Sequence, residues 1–109
     1  MLKKKYRLLR ETKFDNKNIF TSPFFVLRIA KNEKSLSRFG FVVSKKTDKR
    51  AVVRNRVKRQ IRHNIEENLD KINPGYDILF VLKKQMTNKT TEEINGIAMD
   101  ALRKLKLLK

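Results

Sequence analysis

The segment Lys45–Arg62 holds nine lysines and arginines in eighteen residues, and Asp48 is its single acid. Like charge at that density self-repels unless a polyanion neutralises it. Arg54, Lys58 and Arg62 recur at every fourth position, the spacing that lines up side chains on one face of a helix. Arg56, Arg59 and His63 flank that face. A guanidinium offers two parallel donors in one plane, which matches the edge of a phosphate. Asn55, set between two arginines, both donates and accepts, so it can reach a ribose 2′-hydroxyl or a base edge. A solvated cationic helix is the blander reading, but cations at this spacing weaken a helix that meets no anion. Lys45, Lys46, Lys49 and Arg50 fill the approach to the helix. Backbone amides at its start add partial positive charge there and favour phosphate; an ordinary exposed loop is the alternative.

Catalytic constellations are thin. The eleven acids are scattered. Glu66-Glu67 and Glu92-Glu93 are helix neighbours whose side chains diverge by about 100°, and neither pair is spaced to grip a metal or share a proton. A protein that hydrolyses phosphodiesters by itself clusters carboxylates around magnesium. His63, the one histidine, sits in the cationic row with no carboxylate partner obvious from sequence, and reads as a phosphate or ribose contact rather than a base. There is no Walker loop and no dinucleotide fingerprint. With no cysteine, disulfides, cysteine-ligated zinc and thiol chemistry are excluded. The chain reads as a binder whose chemistry is supplied elsewhere. Phe39, Phe41 and Phe80 lie in apolar runs and read as core. Phe14 and Phe20 lie in polar surroundings and either stack on an unpaired base or pack inside.

These side chains need a scaffold. At 109 residues the chain is expected to form one domain, 1–109. A net charge of +17, from 28 basic and 11 acidic residues, makes nucleic acid the default partner and an anionic membrane surface the lesser one. No apolar run approaches the ~18 residues of a membrane span. Met1–Tyr6 is basic without the apolar stretch of a secretion signal, so the expected location is the cytoplasm. Against disorder stand the 39% apolar residues, arranged in periodic blocks.

A short first helix is expected from 6 to about 15, then an irregular stretch over 16–22. Runs rich in β-branched and aromatic residues predict strands over 24–30, 38–44 and 76–82, the second buried on both faces. Val53, Val57, Ile61, Ile65, Leu69 and Ile72 form one apolar stripe and predict a helix over 51–71, closed by Asn73-Pro74-Gly75. Thr90 and Glu93 have the spacing of a capping box. The helix they open carries Ile94, Ile97, Ala98, Ala101, Leu102, Leu105 and Leu108 on one face. A strand–helix–strand crossover in the middle implies a mixed sheet with helices packed on it.

Phe39-Gly40-Phe41-Val42-Val43-Ser44-Lys45-Lys46, followed by Ala51-Val52-Val53-Arg54-Asn55-Arg56-Val57-Lys58-Arg59-Gln60-Ile61-Arg62, resembles the signature of the bacterial ribonuclease P protein family. In that family a strand ending in Ser-Lys-Lys leads into a helix carrying Arg-Asn-Arg. The resemblance extends over nearly the whole chain in length, charge and element order. It implies an α/β (α+β) two-layer sandwich of ribosomal-protein-like kind, with order α-β-β-β-α-β-α, a mixed central sheet and a left-handed βαβ crossover. It implies the protein subunit of an endoribonuclease that removes the 5′ leader of precursor tRNA, with catalysis and Mg2+ held by an RNA subunit. The implied partners are that catalytic RNA and the leader, with no membrane and no obligate protein partner. Arg54, Asn55, Arg56, Lys58, Arg59 and Arg62 match the motif helix that contacts the RNA, and Lys45 and Lys46 match the basic end of the strand. Lys49, Arg50 and His63 extend that surface. Phe14 matches an aromatic of the first helix lining a leader cleft, with Phe20 and Arg28 as further cleft residues. The stretch between Phe14 and Phe25 is shorter than in the family and lacks its usual glycine, and Arg28 stands where the family often has an aromatic. Two rivals remain: a ribosomal protein or RNA chaperone with a similar sandwich, and a self-sufficient metal nuclease, against which the scattered acids argue.

Overall fold

The computed structural model describes residues 3–8, 14 and 18–109. A 3-10 turn at Lys4–Tyr6 precedes strands β1 (Ile19–Thr21), β2 (Phe25–Lys31) and β3 (Arg38–Val42), helix α1 (Ala51–Glu67), strand β4 (Tyr76–Leu82) and helix α2 (Thr91–Lys104). Single 3-10 turns at Leu69–Lys71 and Lys84–Met86 follow α1 and β4. The sheet order is β1-β2-β4-β3. β4 therefore sits between β2, to which it is antiparallel, and β3, to which it is parallel. Two parallel neighbours need a crossover, and α1 supplies it. This is the mixed α+β architecture expected from the sequence.

Period-two alternation gives the sheet two unlike faces. Directly paired residues share a face, so Phe25, Leu27 and Ile29 of β2 align with Leu82, Phe80 and Ile78 of β4. Phe39 and Phe41 of β3 join Ile78 and Phe80 on that side. Both helices cover this face. Val57, Ile61 and Ile65 from α1 and Ile94, Ala98, Ala101 and Leu102 from α2 complete one buried cluster with it. Phe80 is its centre, edge-on to Phe25 at 5.7 Å and stacked on Phe41 at 5.3 Å. The opposite face carries Val26, Arg28, Gly40, Leu79 and Val81. Leu8 lies across it, so close that a Cβ on Gly40 would stand 2.9 Å from its Cδ1.

One buried polar cluster pins the end of the sheet. Arg38 clamps Asp77 with Nε at 2.9 Å and Nη2 at 2.7 Å, and Asn32 donates to the same carboxylate at 2.9 Å. Burial pushes the Asp77 carboxyl up, but the bonds from Arg38 and Asn32 outweigh it and leave its pKa lowered. Gly75 enters β4 at φ 93°, a left-handed conformation that favours glycine.

Several expectations are revised. Tyr6 closes a 3-10 turn, and Arg7 bridges Phe39 in parallel. The first helix therefore does not begin at residue 6, and the rest of that expected span lies mostly outside the described residues. Ile19–Thr21, expected to be irregular, is an edge strand because its backbone pairs with Val26–Arg28. β3 stops at Val42, which is 43% exposed, so this strand is not buried on both faces. α1 ends at Glu67 instead of running to 71, because Asn68 leaves helical geometry and its amide bonds back to the Ile65 carbonyl. The 3-10 turn that follows keeps Leu69 and Ile72 against the core despite the break. The capping box at Thr90 forms as expected, with both reciprocal bonds made.

Candidate nucleic-acid interface

α1 is held to the sheet through Val57, Ile61 and Ile65, none of which is exposed. At 100° per residue the surface opposite those anchors is centred on Val52, Arg59 and His63, with Asn55 and Arg62 on its flank. There the structure forms a shallow groove of about 770 Å³ lined by Asn55, Lys58, Arg59, Arg62 and His63, together with Gln60, Glu66 and Thr91. Asn55, Arg59 and His63 are exposed, and Lys58 and Arg62 are half-exposed. The Arg62 guanidinium lies 5.9 Å over the Phe41 ring, which steadies it beside the edge strand β3.

Arg54 and Arg56 stand apart from this groove. Arg54 Nη1 donates to the carbonyls of Asp48 (2.8 Å) and Lys49 (3.0 Å), capping the loop that leads into its own helix. Arg56 Nη2 donates to the Thr87 carbonyl, on the turn after β4. The expected row of Arg54, Lys58 and Arg62 thus slants from the flank of α1 into the groove instead of lying along its centre.

The approach to α1 is basic and ordered. Arg50 is the N-cap residue and provides no side-chain cap. Its guanidinium instead pairs with Asp48 at 3.0 Å, while its backbone amide donates to the same carboxylate at 2.9 Å. The Arg50 hydrogen bonds lower the Asp48 pKa to about 2. The one acid of the segment is thereby neutralised locally. Lys45, Lys46 and Lys49 are exposed around it.

His63 has a carboxylate partner after all: its Nε2 lies 2.9 Å from Glu67 Oε1, one helical turn on. Both side chains are exposed, so the pair orients the imidazole without burying a charge. Gln60, Glu66 and Thr91 were missed as groove residues. The spacing of 55, 59, 62 and 66 would have found Glu66. Thr91 reaches the groove only because α2 packs beside α1, where Gln60 Nε2 donates to its Oγ1 at 3.0 Å.

Two of the expected leader-cleft residues, Phe20 and Arg28, do not lie together. Phe20 pairs with Leu27 and packs against the core on the helix-covered face. Arg28 pairs with Ile19 and Leu79 on the opposite face. Neighbouring faces of a strand alternate, so Phe20 and Arg28 cannot line one surface. Phe14 is half-buried and lies in neither helix nor strand. Among the described residues no three His, Asp or Glu side chains converge to hold a metal ion, and no helix is long and apolar enough to cross a membrane.

The family model for Ribonuclease P matches residues 2–106. This chain belongs to the ribonuclease P protein family. A relative from Clostridium kluyveri, named Ribonuclease P protein component, is 38% identical over 92 residues, which is 83% of this chain and 81% of that protein. One of the same name from Clostridioides difficile is 42% identical over 77 residues, 70% of this chain and 67% of its own length. The RNase P protein of Staphylococcus aureus superposes with a TM-score of 0.75 at 29% identity, covering 84% of this chain and 83% of that one. That of Thermotoga maritima does so with a TM-score of 0.72 at 26% identity, covering 79% and 81%. The ribosomal-protein and self-sufficient-nuclease alternatives give way to this family.

Proposed function

We propose that the chain docks on the catalytic RNA of ribonuclease P through the outer face of α1 and the basic approach to it, and so assists removal of the 5′ leader from precursor tRNA. The observation that carries this is the groove of Asn55, Lys58, Arg59, Arg62 and His63, held outward by a helix whose opposite side is fully buried. Planar guanidinium donors at Arg59 and Arg62 suit phosphate oxygens, and the Asn55 amide suits a 2′-hydroxyl or base edge. Lys45, Lys46, Lys49 and Arg50 continue the positive field toward the start of α1.

The bond-breaking chemistry belongs to the RNA, which holds the magnesium ions; no residue of this chain is assigned to them. The leader is read by the sheet face turned away from the helices, where Arg28 offers a phosphate contact in place of a stacking ring; Phe14 is kept as a leader contact on the family resemblance alone. Phe20 is left out of that surface, because its ring packs against the core. The test is cleavage of precursor tRNA. The purified protein alone should be inert, and adding it to the catalytic RNA should lower the magnesium needed for cleavage. No effect on that requirement would overturn the reading.

A further inference from the structure

The seven residues after β4, Lys83-Lys84-Gln85-Met86-Thr87-Asn88-Lys89, contain three lysines and no acid. They do not form a loose loop. Met86 is fully buried and Thr87 only 7% exposed. The amides of Met86 and Thr87 close a 3-10 turn on the carbonyls of Lys83 (3.0 Å) and Lys84 (2.9 Å), and Thr87 Oγ1 adds a bond of 2.6 Å to Lys84. Lys83 Nζ donates to the Ser22 carbonyl at 2.8 Å, and Lys89 Nζ lies 5.4 Å over the Phe24 ring. From the other side, Arg56 of α1 donates to the Thr87 carbonyl. The backbone beneath Lys84 is therefore fixed from three directions, while its side chain is exposed.

Lys84 also stands near the start of α1, where its charge contributes to lowering the Asp48 carboxyl. Asp48 already pairs with Arg50 at 3.0 Å. A further cation beside an ion pair that is locally neutral leaves net positive charge, and the chemistry that meets it is a phosphate.

We propose that the Lys84–Thr87 turn is a second wall of the RNA interface, on which Lys84 takes a backbone phosphate, and that Arg56 is a positioning residue holding this wall against α1. Arg56 is then distinct from Arg59 and Arg62, which meet the RNA directly. The inference rests on the RNA-docking reading above. It extends the interface from one helix to two segments about thirty residues apart in sequence, joined at the surface by the Arg56 guanidinium-to-Thr87 carbonyl contact.

The experiment is a salt titration of affinity for the RNA that co-purifies with the chain, transcribed in vitro. Lys84→Ala should lower the slope of log affinity against log salt by about one unit, as for a lost phosphate contact. Arg56→Ala should lower it by the same amount, and the Arg56→Ala/Lys84→Ala double variant no further, because both remove one contact. Additive losses would make Arg56 an independent phosphate ligand and overturn its positioning role. An unchanged slope for Lys84→Ala, an exposed substitution that spares the fold, would overturn the wall itself. Arg59→Ala is the reference: if it too leaves binding unchanged, the docking reading has failed, whereas a loss confined to Arg59→Ala removes only the present proposal.

Discussion

Arginines that look alike in sequence do different physical work in this chain. Arg59 ends in solvent at the α1 groove, whereas Arg54 caps two carbonyls of the preceding loop. Arg59→Ala should therefore weaken RNA binding about tenfold, the loss of one charge-assisted hydrogen bond of ~1.5 kcal/mol, with the unfolding midpoint unchanged. Arg54→Ala should lower stability as well, by about 1 kcal/mol in urea unfolding. A second residue-scale prediction concerns acid. Asp48 and Asp77 both have folded pKa values below the ordinary carboxylate range. A carboxylate depressed on folding stabilises above its unfolded pKa, and that contribution is lost as pH falls through the folded value. Stability should thus decline from about pH 4, the unfolded carboxylate range, toward the value of about 2 held by Asp48. Asp77→Asn should flatten part of that decline in urea midpoints measured between pH 7 and pH 2.5. It should also cost about 3 kcal/mol at neutral pH, since the Arg38 guanidinium, with its side chain 14% exposed, would lose its charged partner.

At the scale of elements, the helix starts contrast. α2 opens on a complete capping box, in which Thr90 Oγ1 accepts from the Glu93 amide at 3.2 Å and Glu93 Oε1 accepts from the Thr90 amide at 3.0 Å. Thr90→Ala should cost about 1 kcal/mol in thermal or urea unfolding. α1 opens on Arg50 without a side-chain cap, and its first turn has no acid. Within the helix itself nothing offsets the positive end of the dipole; the one acid nearby, Asp48, accepts from the Arg50 amide just before it and is paired with the Arg50 guanidinium. The edge strand supplies a further test. Phe20 packs against the core from β1, so Phe20→Ala should destabilise the fold by about 2 kcal/mol, below the ~3–5 of a fully buried ring. Unchanged stability with weakened leader binding would restore Phe20 to the cleft.

For the whole molecule the governing quantity is charge. With a net charge of +17, association with RNA should depend steeply on ionic strength. If about six phosphates are neutralised, log affinity should fall against log salt with a slope of about −4 to −5. A shallow slope would say that the cationic face of α1 is not the interface. Much of this was legible beforehand. The charge, the strand at Tyr76–Leu82 and the apolar stripe of α1 follow from composition and periodicity, because each is a local property of consecutive residues. β1 was not legible in periodicity, and only the family resemblance implied a third strand before α1: three residues carry no pattern, and Ile19–Thr21 is a strand because β2 pairs with it.

Legible in the sequence alone were a net charge suited to a polyanion, a helix beginning near Ala51 with a row of cations, and acids scattered along the chain. Tertiary structure decided which cations remain outward. Arg56 is drawn to Thr87, thirty-one residues away, and Phe20 and Arg28 are sent to opposite faces of the sheet. The physical reason is that helical and strand periods fix only the direction in which a side chain leaves its own backbone. The group it meets there is set by packing between segments distant in sequence, and that packing is a property of the folded chain.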